Sequence, residues 1–126
     1  MIFGAHVLVY GKDPEADRAF FRNVLGVRYA DAGHGWLIFK LPPSEMAVHP
    51  TGNDAMETTH AGHRLLGAVL YLMSDDLRGE IATLKSKGVQ CTEIDEAPWG
   101  IKTTIKLPSG GEIGLYQPTH VTALDL

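Results

Sequence analysis

Apolar and polar positions along this chain switch between two periods. Ala5-His6-Val7-Leu8-Val9-Tyr10 is short, apolar and partly β-branched, and Gly11 ends it, which predicts a strand. Asp13 and Pro14 then suit the cap and first turn of a helix. Ala16, Ala19, Phe20 and Val24 recur at helical spacing, and Phe21 and Leu25 widen that stripe. Gly26 supplies the stop. Strands are predicted over 27–30, 36–41 and 45–49, with Pro42-Pro43-Ser44 turning the chain before the last of them. Residues 51–66 lose both periods and predict a linker that opens on the turn residues Thr51-Gly52-Asn53-Asp54. A second series follows. It has a strand over 67–73, then a helix capped by Asp75 or Asp76 with Leu77, Ile81 and Leu84 as its stripe and Gly88 as its stop. Strands over 89–92, 102–107 and 112–116 complete it, with Pro98-Trp99-Gly100 as a loop and Ser109-Gly110-Gly111 as a turn.

The two series are copies. Moving residues 5–27 forward by 62 places Val7 on Val69, Leu8 on Leu70, Asp13 on Asp75, Gly26 on Gly88 and Val27 on Val89 without a gap. Phe39-Lys40-Leu41-Pro42 returns as Ile105-Lys106-Leu107-Pro108, and His49-Pro50 as Tyr116-Gln117-Pro118. Each copy reads β-α-β-β-β, and repetition of this kind sets architecture ahead of any local assignment. Equivalent positions should face a shared pocket. The polar His6 stands in an apolar run, and its counterpart is Ala68.

Composition narrows the classes of partner. The 126 residues suffice for one core, and 44% hydrophobic with 21% charged residues is ordinary for a soluble globular domain. No apolar run approaches the roughly 18 residues of a membrane span, and the first residues do not read as a signal peptide. Cys91 is the only cysteine, which excludes an intrachain disulfide and fits a reducing, cytoplasmic setting. A net charge of −4 without a Lys/Arg cluster argues against nucleic acid. It suits a neutral or cationic ligand, unless a local pocket overrides it.

Several segments carry a resemblance. Phe20-Phe21-Arg22-Asn23-Val24-Leu25-Gly26 resembles the first-helix ending of the vicinal oxygen chelate superfamily. That group includes glyoxalase I, extradiol dioxygenases and the bleomycin and fosfomycin resistance proteins. Leu84-Lys85-Ser86-Lys87-Gly88-Val89 resembles the second-helix counterpart, and Leu107 to Tyr116 the closing hairpin. The resemblance implies an α+β fold in which two βαβββ modules form a cupped, eight-stranded mixed sheet with helices on the outer face. It implies a single domain over 1–126. Module one lies at about 4–50, the linker at 51–66, module two at about 67–118 and a tail at 119–126. It also implies a homodimer.

Metal-dependent members of that superfamily hold a divalent ion with ligands from the first and last strands of each module. His6 matches the first-strand position, whereas Ala68, Gly114 and Ala47 fall at the other three. A catalytic ion needs about three protein ligands and an open place. The expectation is therefore a cleft with no metal cofactor. The alternative is a displaced site. Residues two apart on a strand share a face, so His6, His49 and Glu112 could converge, and two histidines with a carboxylate suit Zn(II) or Fe(II).

The expected cleft is lined by His6, Tyr10, His49, Trp99, Glu112, Gly114 and Tyr116. Gly114 would leave room for a ligand where the metal enzymes have a carboxylate. Plainer readings stand beside these. His6 could be a buried, hydrogen-bonded histidine, His49 a solvated rim residue, and Trp36 and Trp99 core residues. His34 reads as an exposed turn residue, His60 and His63 as surface histidines, and Cys91 as an unremarkable thiol. The first functional expectation is a small-molecule-binding protein of the bleomycin-resistance type. The alternative is a lyase or ring-cleaving dioxygenase using Zn, Fe, Mn or Ni. A third is a paired scaffold without a ligand.

Overall fold

The two predicted helices form where their caps and stripes place them. In the computed structural model, which describes residues 1, 3, 5–50, 57–124 and 126, α1 spans Pro14–Asn23. The Asp13 carboxylate accepts from the Ala16 N–H at 3.2 Å, Pro14 fills the first turn, and Gly26 turns the chain with φ of 66°. The chain divides into two compact units, Met1–Lys40 with Lys106–Glu112, and Leu41–Ile105 with Ile113–Leu126.

In the first unit, β1 (Tyr29–Asp31) and β2 (Leu37–Phe39) form an antiparallel hairpin with Tyr29 opposite Phe39 and Ala30 opposite Ile38. Phe20 and Phe21 of α1 are buried, and the Phe21 and Phe39 rings lie 5.5 Å apart, so the helix docks on the Tyr29/Phe39 side of the hairpin. Asp17 is the buried charge of this unit. Its carboxylate accepts from Ser109 N at 3.0 Å and from Ser109 Oγ at 2.6 Å, which satisfies it and ties α1 to the turn at 108–111. A Cβ on Gly11 would collide with that same carboxylate. The segment 5–10, predicted as a strand, joins no ladder among the described residues, and Val7, Leu8 and Val9 are 50%, 51% and 55% exposed.

In the second unit, residues 57–66 of the predicted linker form a hairpin. β3 (Glu57–His60) and β4 (His63–Leu66) pair antiparallel around Ala61 and Gly62, whose φ angles of 50° and 81° are the left-handed pair that a two-residue turn needs. The remainder of that predicted linker, 51–56, lies outside the described residues. The predicted strand over 45–49 does not form. No strand among the described residues pairs with it, and Met46 and Val48 stay exposed. β5 (Tyr71–Met73), β6 (Asp95–Ala97), β7 (Gly100–Lys106) and β8 (Glu112–Pro118) make a sheet in the order β5-β8-β7-β6. β5 runs parallel to β8 and puts Tyr71 opposite Gly114. The predicted strand at 89–92 contributes a single bridge, Cys91 to Ile105, and β6 forms over residues that no strand was predicted for, just ahead of the Pro98-Trp99-Gly100 loop.

α2 (Leu77–Ser86) is capped by Asp76, which accepts from Gly79 N at 3.1 Å. Its buried stripe is Leu77, Ile81 and Leu84. The sheet buries the alternating set Thr103, Ile105, Ile113 and Leu115. Gln117, on the same face as Ile113 and Leu115, accepts from Leu77 N at 2.8 Å and docks the start of α2 there. The opposite face carries Tyr71, Lys102, Gly114 and Tyr116.

Candidate functional site

The open face of the four-stranded sheet is aromatic. Tyr71 rises from β5, and its ring covers Gly114 so closely that a Cβ on Gly114 would overlap it. A glycine within a strand commonly marks such an approach. The Tyr71 and Tyr116 rings meet edge to face at 6.0 Å, a favoured aromatic geometry. On the far side of Tyr116, the His120 ring lies at 5.8 Å and tilted by 31°. The Lys102 ammonium stands 5.8 Å from the Tyr71 ring and 3.9 Å from Asp95, its register partner. These side chains form a wall with a cation at one side and a carboxylate, Glu45, at the other.

Hydrogen bonds fix the wall. The Tyr116 hydroxyl donates to the Trp99 carbonyl at 3.0 Å. Thr119 N donates to the same carbonyl at 2.8 Å, and Thr119 Oγ1 to Pro98 O at 3.0 Å. Glu45 accepts from Ala123 N at 2.7 Å and lies 3.9 Å from His120 Nε2. The segment 119–123, expected as a spare tail, is therefore a strap that holds both the Trp99 loop and Glu45. Burial pushes the Tyr116 phenol above its ordinary value and Glu45 adds to the shift, against an opposing pull from Lys102, so the hydroxyl stays a proton donor at neutral pH.

Of the residues named from the sequence, Trp99, Gly114 and Tyr116 come together here. His6 and Tyr10 lie on the exposed 5–10 segment of the first unit, and Glu112 is exposed in that unit. His49 is exposed in the second unit, with its Nδ1 2.8 Å from Pro50 O. Among the described residues, no three His, Cys, Asp or Glu side chains gather as a metal ligand set. The space beside Gly114, expected to be open for a ligand, is taken by the Tyr71 ring. A ring offers no donor to a hard or borderline cation, so the closing strand does not fit the ion that the resemblance implies for metal-dependent members. His60 and His63 are opposed across the tip of the β3–β4 hairpin. Burial raises the Cys91 thiol, with Lys85 pulling weakly the other way, which keeps it protonated at neutral pH.

Tyr71, Lys102 and His120 were not named from the sequence. Tyr71 had a signal. It is the repeat counterpart of Val9, so an aromatic replaces an aliphatic there, and the structure sets it opposite Gly114.

Comparison with known proteins places these observations. Residues 5–115 match the family described as the Glyoxalase/Bleomycin resistance protein/Dioxygenase superfamily. None of the curated proteins matches the chain. Among solved structures, an antibiotic binding protein, TnmS3, from Streptomyces sp. CB03234 is 22% identical, with a TM-score of 0.59 over 94% of this chain and 100% of that one. A lactoylglutathione lyase from Agrobacterium tumefaciens is 19% identical, with a TM-score of 0.58 over 86% of this chain and 88% of the other. The fosfomycin resistance protein FosX from Listeria monocytogenes is 14% identical, with a TM-score of 0.59 over 94% and 96%. At these identities the likeness is one of fold.

Proposed function

The chain belongs to the Glyoxalase/Bleomycin resistance protein/Dioxygenase superfamily, and from that membership we propose that it binds a small molecule on an aromatic wall without a metal ion. The carrying observation is the pairing of Tyr71 with Gly114. Where metal-dependent members commonly place a carboxylate, this chain places a ring over a glycine. The ligand is a planar, largely apolar body. It lies against Tyr71 and Tyr116, gains their stacking and apolar area, and meets polar groups at the rim in Lys102 and Glu45. The printed description of TnmS3 as an antibiotic binding protein supports a sequestering role of this kind.

The assembly is a homodimer. Val7, Leu8 and Val9 are consecutive, apolar and each at least half exposed among the described residues, so the segment presents apolar area on both sides. A second copy is the partner that every molecule of the protein has available. The compartment is the cytoplasm, where a lone, non-activated thiol stays reduced. No helix among the described residues is long and apolar enough to cross a membrane.

The test is a thermal-shift screen of planar aromatic compounds in the presence of EDTA. Compounds that raise the melting temperature in wild type and fail to do so in Tyr71→Ala and Tyr116→Ala support the reading. Stabilisation that appears only after Zn, Fe, Mn or Ni is added overturns it.

A further inference from the structure

The tip of the β3–β4 hairpin holds two imidazoles in a fixed relation. His60 and His63 flank the Ala61-Gly62 turn and are register partners. Residues directly opposite in an antiparallel pair carry their side chains on one face, with Cβ atoms about 4.5–5.5 Å apart. That spacing lets two rings reach one ion between them. The turn is closed by φ angles of 50° at Ala61 and 81° at Gly62, so the backbone sets the pair before any ion arrives.

The charged residues of the hairpin use its other face. Thr59 and Arg64 are register partners one residue out of phase with the histidines, and Glu57 lies two before Thr59 on that same face. The Arg64 guanidinium donates to the Glu57 carboxylate at 3.0, 2.9 and 2.7 Å. This ion pair ties β3 to β4 next to the turn. It also engages the one Lys or Arg of the hairpin on the side away from the imidazoles, with its charge matched by a carboxylate. His60 is half-buried and His63 is exposed, so the pair is open to solvent on one side. Coordination takes one nitrogen from each ring and leaves the second nitrogen for a hydrogen bond, as metal-bound histidines usually have.

We propose that His60 and His63 form a clip for a divalent transition-metal ion, with Cu(II) held more tightly than Ni(II) or Zn(II). Imidazole suits these ions, whereas Mg(II) and Ca(II) take oxygen ligands. The order follows the intrinsic affinity series of the divalent metals. Two imidazoles fill two of the ion's positions, and water or a small donor molecule takes the others. Among the described residues no group of three His, Cys, Asp or Glu side chains gathers, so the clip differs from a closed, four-ligand structural centre. It uses neither Tyr71 nor Gly114, and it stands whether or not the aromatic wall binds a ligand.

The experiment is amide NMR on the full chain, stripped with EDTA, dialysed and titrated with Cu(II) alone. Paramagnetic Cu(II) should broaden the amides of 59–64 before those around His6, His34, His49 and His120. Calorimetry should rank Cu(II) above Ni(II) and Zn(II) and show no binding of Mg(II). His60→Gln and His63→Gln should each abolish the first Cu(II) step. An exchange variant, Thr59→His with His60→Thr, keeps the number of histidines but turns one imidazole to the opposite face, so it should lose that step as well. The amide spectrum of each variant in EDTA separates a lost site from a lost fold. Binding should weaken as the pH is lowered from about 7.5 to about 5.5, because protons compete for the ligating nitrogens. The proposal is overturned if broadening centres on another histidine, if His60→Gln or His63→Gln keeps the first step, or if the exchange variant binds Cu(II) as wild type does.

Discussion

Gly114 and Tyr116 show how much one position on β8 decides. The Tyr71 ring occupies the space a Cβ at 114 would need. Gly114→Ala should therefore cost about 1–3 kcal/mol of stability by overpacking. Combining it with Tyr71→Ala should recover most of that loss, because the two residues contact each other. Urea denaturation of the two single variants and the double variant checks this, and additive losses would contradict it. Tyr116 makes a pH-dependent contribution. Its phenol is held above its ordinary value, chiefly by burial and then by Glu45. The folded state therefore holds that proton more tightly than the unfolded state does. The contribution is complete below the unfolded value, near pH 10, and fades as pH rises through the folded value. Stability of Tyr116→Phe should fall less than that of wild type over that alkaline range, and parallel curves would refute the assignment.

At the scale of elements, local signals were legible and pairings were not. Both helices could be read from Asp13-Pro14, the Asp75-Asp76 pair and the glycines at 26 and 88, since caps and stops act within a turn of their own helix, and the structure selects Asp76 of the pair. Strand pairing depends on partners far along the chain. The 57–66 hairpin has Ala-Gly at its tip instead of the stronger Asn-Gly signal, and its strands mix threonine, histidine and arginine, so it passed for linker. The 45–49 segment had the right composition for a strand but no partner. Asp17 was hidden for the same reason. It looks like a polar residue on an amphipathic helix until Ser109 arrives from 92 residues away. Asp17→Ala should cost about 1.5–3 kcal/mol, as expected for charged hydrogen bonds. The exposed cap variant Asp76→Ala should cost about 1 kcal/mol. Equal losses in denaturant melts would mean that the Asp17–Ser109 tie contributes nothing beyond a helix cap.

For the whole molecule, the repeat at an offset of 62 made the family recognisable before any side chain was placed. It did not locate the chemistry. The predicted cleft drew on both copies, whereas the aromatic wall belongs to the second unit and uses a strap from the C-terminal segment that no repeat predicts. Two departures mark the wall in the sequence: Tyr71 in place of Val9, a break in the repeat, and Gly114 in place of the carboxylate that the resemblance implies. Dimerisation is the claim that belongs at this scale. Light scattering should give about twice 13.7 kDa, and Leu8→Lys should move the protein toward the monomer. A wild-type mass of 13.7 kDa at every concentration would remove the second copy from the account.

The most direct test of metal-free binding is calorimetry with the strongest aromatic compound from the screen, titrated in EDTA and again with added Zn. The wall described here predicts one affinity in both conditions and loss of binding in Tyr71→Ala. Binding that vanishes in EDTA and returns with about one Zn per chain would contradict it.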